Sequence, residues 1–375
     1  MSCFPDEVIL EILSRLPVKP LLRFRCVSKP WLALIDSPEF IKFHLKHSLT
    51  TNTNLSLILR SSKLYSSDFD SLDGAIELDH PLKTPGYGID ICGSCNGLLC
   101  LSNSEDDVAL WNPSTRKFKK LPVTTMDFPD GLQGLFYCKS VYGFGYDETS
   151  DDYKVLKLFQ LFVGDDTNSV VKVYSLKNDS WNKVPDCPYN LYYPCSFGTL
   201  ASGALHWLVN PKVKSDRTNL ILAFDLAVEE YRLVPQPDFY DKNSSMDVGV
   251  LGGCLTILYN HNRHRLDVWV MKEYGVKESW TKLYSVQPFE YMFPVAYSKC
   301  GEEVLLEKVM LEKNSKRLVW YDLKNNKRVK NVKIRGVPDW FEPFICWGSL
   351  VPLGGNREGN AKKQQVGEKK KRKKR

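Results

Sequence analysis

Five times between residues 108 and 334 the chain repeats one plan. A strand-like run ends in an aromatic residue, a polar turn follows, and a second strand-like run comes next. The copies are "VALWNPSTRKFKKLP" (108–122), "VKVYSLKNDSWNKVP" (171–185), "ILAFDLAVEEYRLVP" (221–235), "LDVWVMKEYGVKESWTKLY" (266–284) and "LVWYDLKNNKRVKNVKI" (318–334). Their aromatics, Trp111, Tyr174, Phe224, Trp269 and Tyr321, stand 63, 50, 45 and 52 residues apart. One such unit cannot bury its own faces, so neighbours must cover it, and periods of about 40–50 residues with several strands each predict β-propeller blades.

Glycine-bearing runs precede most units: "GSCNGLLCLSN", "VYGFGYDETSDDYKVLKLF", "FGTLASGALHWLV" and "VGVLGGCLTILYN". Inner strands that crowd at an axis need such small residues. "LSLILRSSKLYSSDFDSLDGAIELDHPL" supplies an irregular first unit, so about six blades are expected, and "PFICWGSLVPL" (343–353) closes the ring. A pair of β-sandwiches is the alternative, and the long regular period disfavours it.

Residues 5–46 differ. Pro5-Asp6-Glu7 opens a helix whose Val8, Ile9, Ile12, Leu13 and Leu16 share one face until Pro17 ends it. Pro20 opens a second helix, Ser28-Lys29-Pro30 a third bearing Trp31, Leu34 and Ile35, and Ser37-Pro38-Glu39 a fourth with Phe40 and Phe43 inward. A block of about 40 residues seldom stands alone. With neither metal ligands nor paired cysteines, its apolar surface needs another protein or the following domain.

The net charge of +7 is concentrated in one place. Residues 354–375 hold ten Lys/Arg and two Glu, which leaves 41 basic against 42 acidic side chains in the body. The body therefore offers no excess positive charge to nucleic acid, and the tail is expected to be disordered. Its run Lys369, Lys370, Lys371, Arg372, Lys373, Lys374 and Arg375 has the form of a nuclear localisation signal, so nucleus and cytoplasm are the expected locations. Neither a signal peptide nor a membrane span is visible, and eleven scattered cysteines fit a reducing compartment.

Catalytic and metal-binding patterns are weak. Cys92 and Cys95 make half a zinc site, and His261 and His264 belong to a polar turn. "DETSDD" (147–152) reads as a hairpin turn, and Cys100 or Cys195 would need a base that the sequence does not provide. No metal, cofactor or catalytic residue is expected.

The segment "FPDEVILEILSRLPVKPLLRFRCVSKPWLALIDSPEF" (4–40) resembles an F-box, with Phe4-Pro5 where the motif usually has Leu-Pro. "WNPSTRKFKKLP", "GFGYDETSDDYKV", "GALHWL", "FDLAVEEYRLVP" and "WVMKEYGVKESWTKL" resemble the F-box-associated, kelch-like domain of plant F-box proteins. The resemblance implies a small all-α F-box (1–46), an all-β propeller that recognises a target (54–353) and a basic tail (354–375). It further implies a non-catalytic substrate receptor of an SCF-type ubiquitin ligase, bound to a Skp-type adaptor and, through it, to cullin and RING subunits. It places the adaptor contact on Pro5, Ile9, Ile12, Leu13, Leu16, Pro17, Leu21, Val27 and Trp31. Of the processes such proteins serve, defence signalling is put ahead of hormone signalling and pollen recognition.

If the propeller holds, the connections between its units all emerge on one face. They carry Phe128, Phe136, Tyr189, Tyr192, Tyr193, Phe239, Tyr240, Phe289, Tyr291, Trp340 and Phe341, ring types that interface hot spots favour. These are the candidate contacts to a protein target. The alternative for any single ring is to cover the blade edge beneath it. The rival functions are a carbohydrate-binding or scaffolding propeller, with "DFYDKN" as a stacking site, and a propeller enzyme.

Overall fold

The computed structural model describes residues 5–83, 88–104, 106–125, 137–163, 166–192, 197–212, 218–237, 245–261, 264–286 and 291–353. Among these residues four helices come first. Helix α1 (Asp6–Ser14) follows Pro5, and α2 (Val18–Phe24) follows Pro17, both prolines sitting where a missing N–H does no harm. The Ser28 hydroxyl accepts the Trp31 N–H to cap α3 (Lys29–Ile35), and Ser37 accepts the Phe40 N–H at 3.2 Å to cap α4 (Pro38–Thr51). The break at Ser28-Lys29-Pro30 is therefore a helix cap.

Two expectations change in α4. It runs five residues past 46, because Leu45 and Ser48 are buried and hold the extra turn down. Phe43 is also 39% exposed rather than inward, since the buried face of the helix follows Phe40, His44, Leu45 and Ser48 instead. Asn52 then adopts a left-handed conformation (φ 51°) and turns the chain into the first strand, Leu55–Arg60.

Among the described residues six four-stranded antiparallel meanders follow. Four are separate sheets: 55–77 together with the chain's last strand, then 89–120, 245–286 and 291–332. The meanders 137–184 and 197–234 share one nine-stranded sheet, to which Asn190–Leu191 adds the ninth strand. They join because their inner strands, Tyr137–Asp147 and Phe197–Ala201, pair in parallel at Gly143 and Gly198. A Cβ on Gly198 would lie 2.5 Å from the Trp207 ring, and one on Gly143 would lie 2.5 Å from Leu205, so only glycine permits the approach. The expected six thus counts meanders; as separate blades there are four, plus this fused pair.

The ring closes as 343–353 predicts. Glu342–Trp347 is the innermost strand of the first blade, pairing antiparallel with Leu55–Arg60 so that Trp347 faces Leu55 and Glu342 faces Arg60. Residues 348–353 then run beneath the helices. The Gly348 N–H donates to the Asn54 carbonyl at 2.7 Å, and Asn112 Nδ2 donates to the Val351 carbonyl at 3.0 Å. Leu350 enters the helical core beside Leu13, Val18, Leu21, Ile35 and Phe40. Val351 and Leu353 join Leu45 of α4 in a cluster with Cys100, Leu110 and Tyr174 of the second and third blades. The helical block and the propeller are therefore welded through shared apolar cores.

Candidate adaptor and target surfaces

The propeller covers only one side of the helical block. Elsewhere on the block Ile12 is 53% and Val27 61% exposed, with Val8, Leu32 and Phe43 also in solvent. Large apolar side chains left open on a small domain are the kind of surface that a partner covers. Of the residues assigned to the adaptor, Pro5, Ile12, Pro17 and Val27 are exposed, while Ile9, Leu16 and Trp31 are half-buried. Trp31 meets Phe24 edge-on, ring centres 5.6 Å apart. Leu13 and Leu21 are buried at the centre of the block, where they pack against Ile35, Phe40 and Leu350, and present no surface to a partner. Val8 and Leu32 escaped the sequence reading as surface residues, although Val8 lies one helical turn before Ile12 and shares its stripe.

A histidine fixes the elbow between these helices. His44, buried in α4, donates from Nε2 to the Leu16 carbonyl at 2.9 Å, and burial lowers its pKa, so the ring is neutral.

The second surface lies at the opposite end of the propeller. Helix α4 delivers the chain to Leu55, beside Trp347, where the inner strands end; the connections between blades enter where those strands begin. Six-residue strands such as Leu55–Arg60 span about 20 Å, which separates the two ends. Among the aromatic candidates, Phe128, Phe136, Tyr193, Phe239, Tyr240 and Phe289 lie outside the described residues, as do "DFYDKN", Cys195 and the run 369–375.

The other five separate into three kinds. Phe341 is buried in the core shared with Leu57, Leu305 and Trp320, so it serves packing and is unavailable to a target. Tyr189 and Tyr192 are half-buried, each leaning on the core between blades; Gln160 Nε2 donates to the Tyr189 carbonyl at 2.8 Å. Tyr291 is half-buried and stacks on Phe293, centres 6.4 Å apart and rings nearly parallel at 5°. Trp340 is 41% exposed, and Lys316 Nζ stands 4.8 Å from its ring centre. That ammonium is also 2.5 Å from Glu307 Oε1, a carboxylate whose pKa burial raises.

The weak metal and nucleophile motifs have structural roles. Cys92 is buried and its thiol donates to Ser102 Oγ at 3.1 Å. Burial pushes the Cys95 thiol up to about 12, and Cys100 well above its usual value. His261 pairs with Asp267 at 3.0 Å, and His264 is exposed in the turn. "DETSDD" forms the predicted hairpin turn, with Asp147 accepting the Thr149 N–H and lying 3.1 Å from Lys154. Among the described residues no helix is long and apolar enough to cross a membrane.

A capped four-helix block with exposed apolar side chains, joined through shared cores to a ring closed by its own last strand, defines a helical domain mounted on a β-propeller. Residues 1–43 match the F-box domain, and residues 55–353 match the F-box associated beta propeller domain. The chain belongs to the F-box proteins that carry this propeller. It is 39% identical to Arabidopsis thaliana "F-box protein CPR1", over 94% of this chain and 89% of that protein. It is 34% identical to "F-box protein At4g22390" (87% and 85%) and 30% identical to "F-box/kelch-repeat protein At3g23880" (81% and 85%), both also from Arabidopsis thaliana. Kelch repeats are thus named for some relatives only, and the narrower kelch-like label does not extend to all of them.

Proposed function

We propose that this chain is the substrate-recognition subunit of an SCF-type ubiquitin ligase, itself non-catalytic. The F-box would hold a Skp-type adaptor, and the far face of the propeller would hold a protein target for ubiquitin transfer. The observation that carries this reading is the opposition of two surfaces across a body joined by shared apolar cores. The exposed apolar side chains Val8, Ile12 and Val27 lie on the F-box, while Trp340 and Tyr291 lie at the other end of the ring. A receptor of this kind accelerates transfer by raising the local concentration of the target at a catalytic site elsewhere. A free-floating F-box would lose part of that gain, and the shared core of Leu45, Leu350 and Val351 is what prevents it.

Co-purification with a Skp-type adaptor tests the reading. The wild-type chain should retain the adaptor, and Ile12→Asp combined with Val27→Asp should lose it while melting normally. Retention unchanged by both substitutions would overturn the assignment. The family resemblance puts defence signalling first among the pathways in which to seek the target, by proximity labelling in plant cells. The basic run 369–375 would serve nuclear import, and deleting 362–375 should then shift a fluorescent fusion from nucleus to cytoplasm.

A further inference from the structure

The inner strands of five blades wall a cavity of about 700 Å³: Ile89–Cys95, Phe197–Ala201, Ser245–Leu251, Tyr291–Tyr297 and Glu342–Trp347. That volume is within the range of small-molecule sites. The last turn of the F-box reaches the same space, so the wall is built by both parts of the protein: Leu49 and Asn52 of α4 and its cap line it together with the blade turns at Asn96 and Gly253.

The lining has a definite chemistry. Leu49, Leu55, Ile91, Val250, Val295 and Phe344 supply apolar surface. The polar side chains Asn52, Ser94, Asn96, Thr199, Tyr297 and Trp347 are all uncharged, and no lysine, arginine, histidine, aspartate or glutamate lines the cavity among the described residues. Pro294 and Pro343 each place in the wall a residue without a backbone N–H, which makes it drier still. Val250 is 38% and Leu49 39% exposed, and both face this space rather than filling a core. Two large aliphatic side chains left open in one uncharged cavity are what an apolar occupant would cover. A charged ligand would find no counter-charge here and would lose its hydration.

We infer that the axial cavity is a binding site for a neutral, largely apolar small molecule. The occupant touches both the F-box helix and the propeller wall. The site is distinct from the target face and does not depend on the ligase reading.

The test is a fluorescence titration of the full chain with the uncharged reporter N-phenyl-1-naphthylamine. Saturable binding at one equivalent is expected, with the melting midpoint rising as the reporter is added. Val250→Glu places a charge in the wall at a partly exposed position and should weaken binding at least tenfold. Leu49→Ser, on a different element, should weaken it several-fold, so misfolding of one variant cannot decide the matter. Ile12→Ser with Val27→Ser removes two exposed apolar side chains of the F-box and should leave binding unchanged. Absence of saturable binding would overturn the proposal, as would binding insensitive to both Val250→Glu and Leu49→Ser, or binding lost with the Ile12→Ser, Val27→Ser variant.

Discussion

Lys316 Nζ stands 4.8 Å above the ring centre of Trp340 while it pairs at 2.5 Å with the Glu307 carboxylate. Both ends of that ion pair are nearly out of solvent, at 10% and 11% side-chain exposure, whereas Trp340 keeps 41% of its surface open. The ammonium is thus fixed from below by a buried charge and holds an exposed indole in one orientation. A preordered aromatic of this kind loses little entropy when a partner arrives.

Trp340→Ala should therefore leave the melting midpoint nearly unchanged and reduce target capture by tenfold or more, measured by pull-down against the proximity-labelled target. Lys316→Met should behave differently. It strands Glu307 without its partner, and about 3 kcal/mol of stability should be lost in thermal unfolding. Adding Glu307→Gln to Lys316→Met should recover most of that loss, since the stranded charge is then gone.

The F-box surface and the F-box core should separate cleanly in mutagenesis. Ile12→Asp and Val27→Asp act on exposed positions and should change stability by no more than about 0.5 kcal/mol while abolishing adaptor retention. Leu21→Ala opens a cavity at a fully buried site and should cost about 2–5 kcal/mol, with retention falling only as the fold is lost. Calorimetry and co-purification on the same preparations distinguish the two.

Acid should destabilise the protein through buried histidines. His206 donates from Nδ1 to the Thr199 carbonyl at 3.0 Å and accepts at Nε2 from the Tyr274 hydroxyl at 2.6 Å, and burial pushes its pKa down to about 4. Burial lowers His44 in the same direction. A histidine depressed in the folded state binds more protons when unfolded, so its stabilising contribution is complete above its ordinary pKa and declines as the pH falls from there towards the folded value. Between pH 7 and pH 5 the loss from His206 should be about 2 kcal/mol. His206→Gln should flatten the dependence of the melting midpoint on pH over that interval, whatever its effect on the midpoint itself.

Ring closure should be the most fragile feature. Removing 342–353 takes away the inner strand of the first blade and uncovers the edge of Leu55–Arg60, so the truncated chain should aggregate on expression. A milder probe is Gly97→Ala. Gly97 sits at φ +77°, and a Cβ there would lie 2.4 Å from the Trp347 carbonyl oxygen and 2.5 Å from Ser349 Oγ. The substitution should unseat the segment that ties the F-box down and lower the melting midpoint, with accelerated hydrogen exchange confined to 347–353 and α4.

Much of this architecture is written locally. The caps at Ser28 and Ser37, the prolines ahead of α1 and α2, and the recurring strand–turn–strand units depend on neighbours a few residues away, so reading along the chain finds them. The opposition of F-box and connection face also follows from strand order once the ring is assumed. What the chain order alone could not decide is which side of each element meets another. Leu13 and Ile12 are adjacent in sequence, yet one is buried against Leu350 and the other stands in solvent, because a segment more than 300 residues away returns beneath the helices. Trp340 and Phe341 divide in the same way: one is held open by Lys316 and the other is drawn into the core between the last and first blades. The fused third and fourth meanders depend on two glycines meeting across a gap of 55 residues. Periodicity and capping are short-range and determine the elements. Burial, pairing between blades and the shape of the axial cavity are set by contacts between distant residues, and only the closed ring brings those together.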